Sequence, residues 1–382
     1  MTAFDPFGEL SEEHQSLRAT VEDFARKEVA PVIGELYERA EFPYEIVAKM
    51  GAMGLFGLPV SESYGGMGGD YFALCLALEE LARVDSSVAI TLEAGVSLGA
   101  MPIYRFGTEA QKQEWLPALT AGEKLGAFGL TEAGGGSDAG ATRTTARLDG
   151  DQWVINGSKA FITNSGTDIT SVVTVTALTG DREISAIMVP SGTPGFKVAK
   201  PYSKVGWCAS DTHGLSFDDV RVPAANLVGE RGRGYAQFLS ILDEGRVAIA
   251  ALSVGLAQGC VDESVRYAHE REAFGHPIGS YQAIQFKIAD MEARAHTARL
   301  AYYAAAAKML KGRPFKKEAA IAKLVSSNAA MDNARDATQV FGGYGFMNEY
   351  PVGRFYRDAK ILEIGEGTSE VQKMLIARQL GL

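Results

Sequence analysis

The chain has 382 residues, of which 46% are hydrophobic and 22% are charged, a composition typical of soluble globular proteins. Its 37 basic and 47 acidic residues give a net charge of −10, which argues against bulk binding to nucleic acid because such binding requires a basic face. The three cysteines lie far apart, form no CxxC pair and have no histidine beside them. We therefore expect two or three domains, a cytoplasmic setting and no metal site.

Hydrophobic patterning gives no sign of membrane insertion or export. No uninterrupted apolar run reaches the ~18 residues that a membrane span needs. The longest candidate, Val247–Val261, follows closely on charged residues and predicts a buried core helix. The N-terminus is acidic and polar, unlike a secretory or transit segment.

Residues 1–122 predict a helical domain. Ser11 followed by Leu17, Val21 and Phe24 indicates a helix start with apolar residues at helical spacing. The segments Tyr71–Val84 and Ser87–Gly99 show the same periodicity.

Residues 123–228 predict a β domain. Asp149-Gly150 and Asn156-Gly157 separate short apolar runs, and such Asx-Gly pairs are the strongest local signal for hairpin turns. No segment here is long enough to form a crossover helix, so we expect an antiparallel, barrel-like sheet. The predicted strands are Thr142–Leu148, Gln152–Ile155, Ser158–Thr163, Ser171–Leu178, Ile184–Val189, Phe196–Ala199 and Leu215–Val220.

Residues 229–382 return to long, Ala-rich helical segments with short connections, which predict a four-helix bundle. The order along the chain is therefore α, then β, then α, an α+β fold. The predicted helices are Tyr235–Glu270, Gln282–Lys311, Lys316–Phe341 and Ser369–Leu380.

The segment Gly126–Gly140 is an apolar strand that runs into a glycine-rich turn. It is not a dinucleotide-binding fingerprint, because that motif must open a helix and the residues that follow here are strand-like. A loop with free backbone N–H groups and the hydroxyls of Thr131 and Ser137 would suit a flat polar heterocycle or a phosphate. A plain glycine turn is the alternative.

Glu366 lies between Gly365 and Gly367, just before the last predicted helix. Thr368 or Ser369 could cap that helix, and Ser369 with Gln372 has capping-box spacing. Glu366 is either a solvated surface carboxylate or a base carried on a thin loop. Burial against an apolar ligand would raise its pKa and make it competent to abstract a proton.

Three further segments contain residues suited to ligand binding. Within Asp243–Arg246 the two terminal residues can form an i, i+3 ion pair, or the arginine can face a cavity. Arg271 follows a helix, where it could bind a phosphate or cap the helix end. The segment Gln339–Gly345 alone indicates only a tight helix stop.

Together, in this order and at these separations, the motifs resemble the acyl-CoA dehydrogenase family over nearly the whole chain. The resemblance implies an N-terminal helical domain, a middle β-barrel-like domain and a C-terminal four-helix bundle. It also implies non-covalent FAD, a homotetramer built as a dimer of dimers, and oxidation of acyl-CoA thioesters to trans-2-enoyl-CoA. Electrons would pass to an electron-transfer flavoprotein.

The resemblance assigns roles to individual residues. Glu366 matches the catalytic base. The matches to FAD contacts are Phe128, Leu130, Thr131, Gly136, Ser137, Phe161, Thr163, Thr368 and Glu370, together with Arg271, Phe274, Gln282, Gln339, Gly342 and Gly343, which would act across a subunit interface. The matches to substrate contacts are Ser137, Asp243, Arg246, Gly367 and Arg378.

The sequence departs from the family pattern at Gly365, where the family often has an aromatic residue, so the shape of the acyl pocket is open. In some members the base comes from the position just before the conserved arginine, but here that position is Gly245, which leaves Glu366 as the only candidate. Asp243–Arg246 and Phe161 are more similar to the short-chain and branched short-chain branch. A flavin oxidase and a catalytically inactive binding module are the alternatives, and Glu366 speaks against both.

Overall fold

The structure, a computed structural model, describes residues 10–382. Ser11 begins the first helix as the sequence predicts: its Oγ accepts a hydrogen bond from the backbone N–H of His14 at 3.2 Å. The N-terminal helices are α1 Glu12–Phe24, α2 Ala30–Arg39, α3 Tyr44–Ala52, α4 Tyr71–Ala82, α5 Ser86–Glu93, α6 Met101–Phe106 and α7 Glu109–Thr120. A π-helical turn, Ala25–Val29, joins α1 to α2.

The helices α4 and α5 form the centre of this domain and are buried along their whole length. Asp70 and Asp85 cap them, each accepting hydrogen bonds from backbone N–H groups in the first turn. Through a second π-helical segment, Ala94–Ala100, α5 continues into α6.

That continuous helix, Ser86–Phe106, is the single one within residues 10–382 that is long and apolar enough to cross a membrane by length and composition. Ser86–Phe106 is therefore a longer apolar candidate than Val247–Val261, which was expected to be the longest. The apolar run is broken in sequence by Glu93 and Arg105, but a helix tolerates two charges in such a length. Since 94% of its most apolar stretch is buried inside the protein, it has the character of a core helix.

The middle of the chain forms an eight-stranded sheet in the order β6-β7-β3-β2-β4-β5-β8, with β1 paired to β4. A small core of aliphatic and aromatic side chains, including Trp153, Val175 and Ile187, lies on one side. The strands are β1 Leu125–Gly129, β2 Thr145–Asp149, β3 Gln152–Thr163, β4 Thr170–Gly180, β5 Glu183–Pro190, β6 Phe196–Val198, β7 Thr212–Pro223 and β8 Leu227–Val228.

Two features of this sheet differ from the prediction. Asn156-Gly157 is not a hairpin turn; β3 runs straight through it with a bulge between Ile155 and Gly157. The amide of Asn156 exchanges two hydrogen bonds with Asp219 on β7, and Gly157 passes so close to Thr144 that a Cβ there would lie 2.5 Å from its Oγ1. The sheet is also not wholly antiparallel, because β1 runs parallel to β4.

The C-terminal part is a helical bundle, as predicted, but it contains one helix more. Pro351–Leu362 is a helix whose residues Val352, Phe355, Ala359 and Leu362 are buried, a helical spacing that the sequence analysis missed. The helices are α8 Gly234–Glu270, α9 Gln282–Leu310, α10 Lys316–Phe341, α11 Pro351–Leu362 and α12 Ser369–Gln379, with a small hairpin of β9 Glu272–Ala273 and β10 His276–Pro277 after α8.

Asp358 on α11 joins the three parts of the chain. Its buried carboxylate accepts hydrogen bonds from Tyr37 Oη at 2.6 Å, from Ser86 Oγ at 2.7 Å and from the Trp207 backbone N–H at 2.6 Å. These donors come from α2, α5 and the loop before β7. The predicted boundaries, 1–122, 123–228 and 229–382, stay a prediction, while the α, β, α order is confirmed.

Candidate active site

The loop between α11 and α12 carries Glu366 in an unusual backbone conformation. Glu366 has φ of +50° and Gly367 has φ of +94°, and a left-handed glutamate is uncommon unless its surroundings hold it. Thr368 is the N-cap of α12 and accepts the Val371 N–H at 3.2 Å. The capping box predicted for Ser369 and Gln372 is wrong, because Gln372 instead donates its Nε2–H to the Gly367 carbonyl at 2.8 Å.

The carboxyl group of Glu366 is buried. Part of the residue is exposed through its loop backbone, but both carboxyl oxygens are inaccessible and no ordinary donor satisfies them. Burial raises the pKa of Glu366, and the positive charges of Lys323 and Arg246 oppose that rise. The geometry therefore favours the buried alternative over a solvated surface carboxylate.

Glu93 on α5 faces Glu366 from the N-terminal domain. It is fully buried, and burial together with the negative charge of Glu366 raises the pKa of Glu93 well above its ordinary value. A proton shared by the two carboxyl groups would relieve the repulsion between them. No sequence motif pairs these residues, since 273 positions separate 93 from 366.

Gly245 on α8 lies directly against this pair. A Cβ at position 245 would be 2.5 Å from Glu366 Oε2 and 3.8 Å from Glu93 Oε1. The two positions that could supply the base, 245 and 366, therefore direct their side chains to the same point. A side chain at 245 and the observed Glu366 carboxyl group cannot both occupy it.

Two basic side chains act on the Glu366 carboxyl group. The first is the buried guanidinium of Arg246, which takes the ion pair with Asp243 that was one of the two alternatives, and Lys316 adds a second contact to Asp243 at 3.2 Å. The second is Lys323 on α10, which was not among the candidates predicted from the sequence. Its ammonium donates to the Gly367 carbonyl at 2.8 Å.

The glycine-rich segment is a strand followed by an exposed loop. Phe128 and Leu130 are buried, and the Phe128 ring stacks on Phe238 with centroids 3.8 Å apart. Their side chains therefore face the protein, so only their backbone could meet a ligand. Beyond them, Gly136 and Ser137 are exposed in the loop.

Glu132, which was not predicted from the sequence either, holds the base of this loop in place. It accepts the backbone N–H groups of Arg143 and Thr144 at 2.8 and 3.0 Å and the ammonium of buried Lys159 at 2.8 Å. An acidic residue within an otherwise Gly- and Ser-rich turn is the sequence signal that could have identified Glu132. These bonds fix the base of the loop while leaving Thr131 and Ser137 free to face a ligand.

Phe161 stands at a bulge in β3 with φ of +61°, and 65% of its surface is exposed. Its ring lies 5.1 Å from that of Tyr202, and Thr163 ends the strand two residues later. A strained, exposed aromatic ring suits the face of a flat heterocycle, which would cover its apolar surface. This observation fits the flavin contact that the resemblance implies.

The remaining candidates lie on the outer surface. Arg271 ends α8 and places its guanidinium 5.8 Å from the Tyr344 ring, while Phe274 has φ of +55° and is 94% exposed. The other exposed members of this group are Gln282, Gln339, Gly342 and Gly343. A Cβ at either of these last two glycines would meet nothing within 4 Å, so their backbone is open to a partner.

The candidate residues of α12 lie at its two ends. Thr368 and Glu370 lie at the N-terminus beside the Glu366 loop, where helix N–H groups favour an anionic ligand. Arg378 is exposed near the other end, roughly 13 Å farther along the helix axis. The structure therefore brings Thr368 and Glu370 to the site but leaves Arg378 away from it.

Models of three consecutive domains match the chain: the acyl-CoA dehydrogenase N-terminal domain at residues 11–123, the middle domain at 127–220 and the C-terminal domain at 232–381. A probable acyl-CoA dehydrogenase, YngJ, from Bacillus subtilis is 50% identical, with 97% of this chain and 99% of the relative covered. The mitochondrial short-chain specific acyl-CoA dehydrogenase of Rattus norvegicus is 45% identical, covering 97% of this chain and 91% of the relative.

Solved structures agree. Butyryl-CoA dehydrogenase from Megasphaera elsdenii superposes with a TM-score of 0.95 at 42% identity, over 98% of this chain and all of that one. A chain in the structure of an electron transferring flavoprotein of Acidaminococcus fermentans has the same TM-score and identity, over 97% of this chain and 98% of its own. An FAD complex of an acyl-CoA dehydrogenase from Bacillus anthracis has a TM-score of 0.93 at 34% identity, over 100% of this chain and 69% of its own.

These findings confirm the resemblance, the fold class and the FAD cofactor that the sequence analysis expected. The chain belongs to the acyl-CoA dehydrogenase family, oxidoreductases that act on the CH–CH bond of acyl-CoA thioesters.

Proposed function

We propose that Glu366 is the base that removes the α-proton of a short acyl-CoA thioester, and that the product is the trans-2-enoyl-CoA. The observation that carries this proposal is the buried carboxyl group of Glu366, held on a thin loop with no ordinary donor on either oxygen. A carboxylate in this state has lost its hydration and its pKa is raised, so it is a stronger base than one in water.

The residues present fit FAD. The loop that contains Thr131, Gly136 and Ser137 and the exposed ring of Phe161 would hold the flavin ring, with Thr163 at its edge and the backbone of Phe128 and Leu130 behind it. When bound, FAD supplies the acceptor for the β-hydride at flavin N5. Glu366 on one face of the Cα–Cβ bond and the flavin on the other would give an anti elimination, hence the trans product.

The chain's own groups would orient the thioester. The backbone N–H of Glu366 would donate to the thioester carbonyl and acidify the α-carbon, with Gly367 beside it. Ser137, Asp243 and Arg246 would contact the substrate on its CoA side, while Arg378 stays an expectation from the resemblance. An acyl chain that fills the space around Glu366 and Glu93 would exclude water and preserve the basicity of the carboxylate.

We also propose a homotetramer, a dimer of dimers, in which Arg271, Phe274, Gln282 and the Gln339–Gly343 segment complete the FAD site of a neighbouring subunit. Their exposure on a single chain supports this proposal. Thr368 and Glu370 would contact the nucleotide part of FAD.

The relatives support a short acyl substrate and an electron-transfer flavoprotein as the electron acceptor, since their names include short-chain and butyryl-CoA dehydrogenases and an electron transferring flavoprotein. The cytoplasmic location expected from the cysteines stays a prediction.

The test is Glu366→Gln, which keeps the size and the hydrogen-bonding reach but removes the basic lone pair. Anaerobic rapid mixing with a panel of acyl-CoA thioesters should show a loss of flavin bleaching at or above the upper end of about 10²–10⁴-fold, with substrate binding retained. Glu35→Gln is the matched control, because Glu35 forms an exposed i, i+4 ion pair with Arg39 on α2 and should not affect the rate. Bleaching at near wild-type rate in Glu366→Gln would show that Glu366 is not the base.

A further inference from the structure

Lys323 is a buried cation that the proposed reaction does not use. It lies in the middle of α10 and has no exposed surface, among neighbours on the same helix that are mostly alanine and serine. Removing an ammonium from water is costly unless a partner compensates for it. A buried lysine at this position therefore requires a partner, and its surroundings identify which one.

The ammonium of Lys323 is directed at the Glu366 loop. It donates to the Gly367 carbonyl at 2.8 Å, and Gln372 Nε2 donates to the same oxygen at 2.8 Å. Two donors from two different helices therefore hold one carbonyl of a loop whose residues 366 and 367 both have positive φ. Gln372 remains as a donor when Lys323 is removed, so the loop should shift locally while the chain still folds.

The charges around Lys323 come from α8, from α12 and from the loop between α11 and α12. Glu366 is the strongest attractive one, Glu363 and Glu370 attract it more weakly, and Arg246 on α8 repels it. Arg246 already has Asp243 as its counter-ion. The raised pKa of Glu93 favours its neutral form, which attracts the ammonium less than the Glu366 carboxylate does. The counter-ion of Lys323 is therefore the Glu366 carboxylate.

We infer that Lys323 is a positioning residue for the base: it fixes the Gly367 carbonyl and supplies the positive charge that keeps Glu366 ionised inside the closed site. This inference rests on the proposed role of Glu366. Burial lowers the pKa of Lys323 to about 8, so the ammonium still carries its charge at neutral pH. Removing it should raise the pKa of Glu366, because an opposite charge nearby favours the ionised form.

The experiment compares Lys323→Met and Lys323→Gln, each as the FAD-loaded protein. Methionine keeps the length and removes both donor and charge, whereas glutamine keeps a donor without the charge. Lys308→Met is the matched control, since Lys308 forms a partly exposed ion pair with Glu318 where α9 leads into α10. FAD content and thermal unfolding show that each variant is folded.

Flavin reduction is then measured anaerobically from pH 5 to pH 9. In both Lys323 variants the acidic limb of the rate profile should move up by about one pH unit. Lys323→Met should also lose about 10–100-fold in its limiting rate through a displaced loop, and Lys323→Gln should recover part of that loss. Lys308→Met should match the wild type in both respects.

Three outcomes would overturn the inference: an unshifted acidic limb in folded variants, a rate loss without a shift, or failure of both Lys323 variants to fold. The double variant Lys323→Met, Glu366→Gln separates this proposal from the base assignment. If Lys323 acts through Glu366, Lys323→Met has no further effect in the Glu366→Gln background. If Glu366→Gln alone stays active, the base assignment fails, whatever the Lys323 variants do.

Discussion

Gly245→Ala tests the position of the base without touching the base itself. The added methyl carbon would lie 2.5 Å from Glu366 Oε2, about 0.9 Å short of ordinary contact, which begins at 3.4 Å. The atom that must yield is the far end of a flexible side chain, so the fold should tolerate the change. Alanine also favours a helix by roughly 0.5–1 kcal/mol over glycine, which offsets any small strain.

The added methyl group should, however, slow the reaction. A displacement of about 1 Å in a reacting group costs on the order of 10²-fold in rate, equivalent to about 2.7 kcal/mol of activation free energy. We therefore expect Gly245→Ala to keep its thermal stability and FAD content while anaerobic flavin reduction slows by about 100-fold.

Two glycine variants calibrate this result. Gly34→Ala in α2 would meet only Arg354 at 3.5 Å, an ordinary contact, so it should not lower stability and should leave the rate unchanged. Gly255→Ala lies on the same helix as Gly245, but its Cβ would press on the backbone oxygen of Glu79, so it should lower thermal stability. Flavin reduction at the wild-type rate in Gly245→Ala would mean that the Glu366 carboxylate is elsewhere during the reaction.

Two other variants test the neighbouring groups. Because the raised pKa of Glu93 makes the folded protein hold a proton that the unfolded chain releases above pH 4.5, wild-type stability should fall as the pH rises above that value. Glu93→Gln escapes this cost, so its advantage in unfolding temperature over the wild type should grow between pH 5 and pH 8; a constant difference would refute the buried-proton account. Arg271→Ala removes one charge-assisted contact worth roughly 1.5–3 kcal/mol, which predicts about ten- to a hundredfold weaker FAD binding by titration of the apoprotein. Unchanged affinity would contradict a role for Arg271 in the cofactor site.

The sequence predicted helices and strands well where the residues that determine them lie close together in the chain. The helix Lys316–Phe341 was predicted to the residue, and Ser11 was recognised as a helix start, because apolar spacing and caps act over a few residues. Asn156-Gly157 was misread because Asp219, its partner, lies 63 positions away. No turn rule contains that information.

The same limit applies to the site. Glu366 became a candidate because two glycines flank it, and the family resemblance gave it the role of base. The rest of its surroundings come from α5, α8 and α10. Glu93 and Lys323 have no motif of their own, and the sequence pattern of each is that of a core helix. Only the packing of these helices shows that their polar ends meet beside Gly245 and Gly367.

The hydrogen bonds of Asp358, which connect the three parts of the chain, limit how this chain can be re-engineered. The Asp358 carboxylate of the C-terminal part accepts from Tyr37 and Ser86 in the N-terminal part and from the backbone of Trp207 in the β part, and it lies on the helix that leads into the Glu366 loop. A chimera that replaces any one part must keep the matching donor or acceptor, or a buried polar group is left without a partner at a cost of about 1–3 kcal/mol. The α and β parts are therefore poor candidates for independent exchange, and grafting a new acyl pocket is better done by substitutions on α5 than by transplanting whole domains.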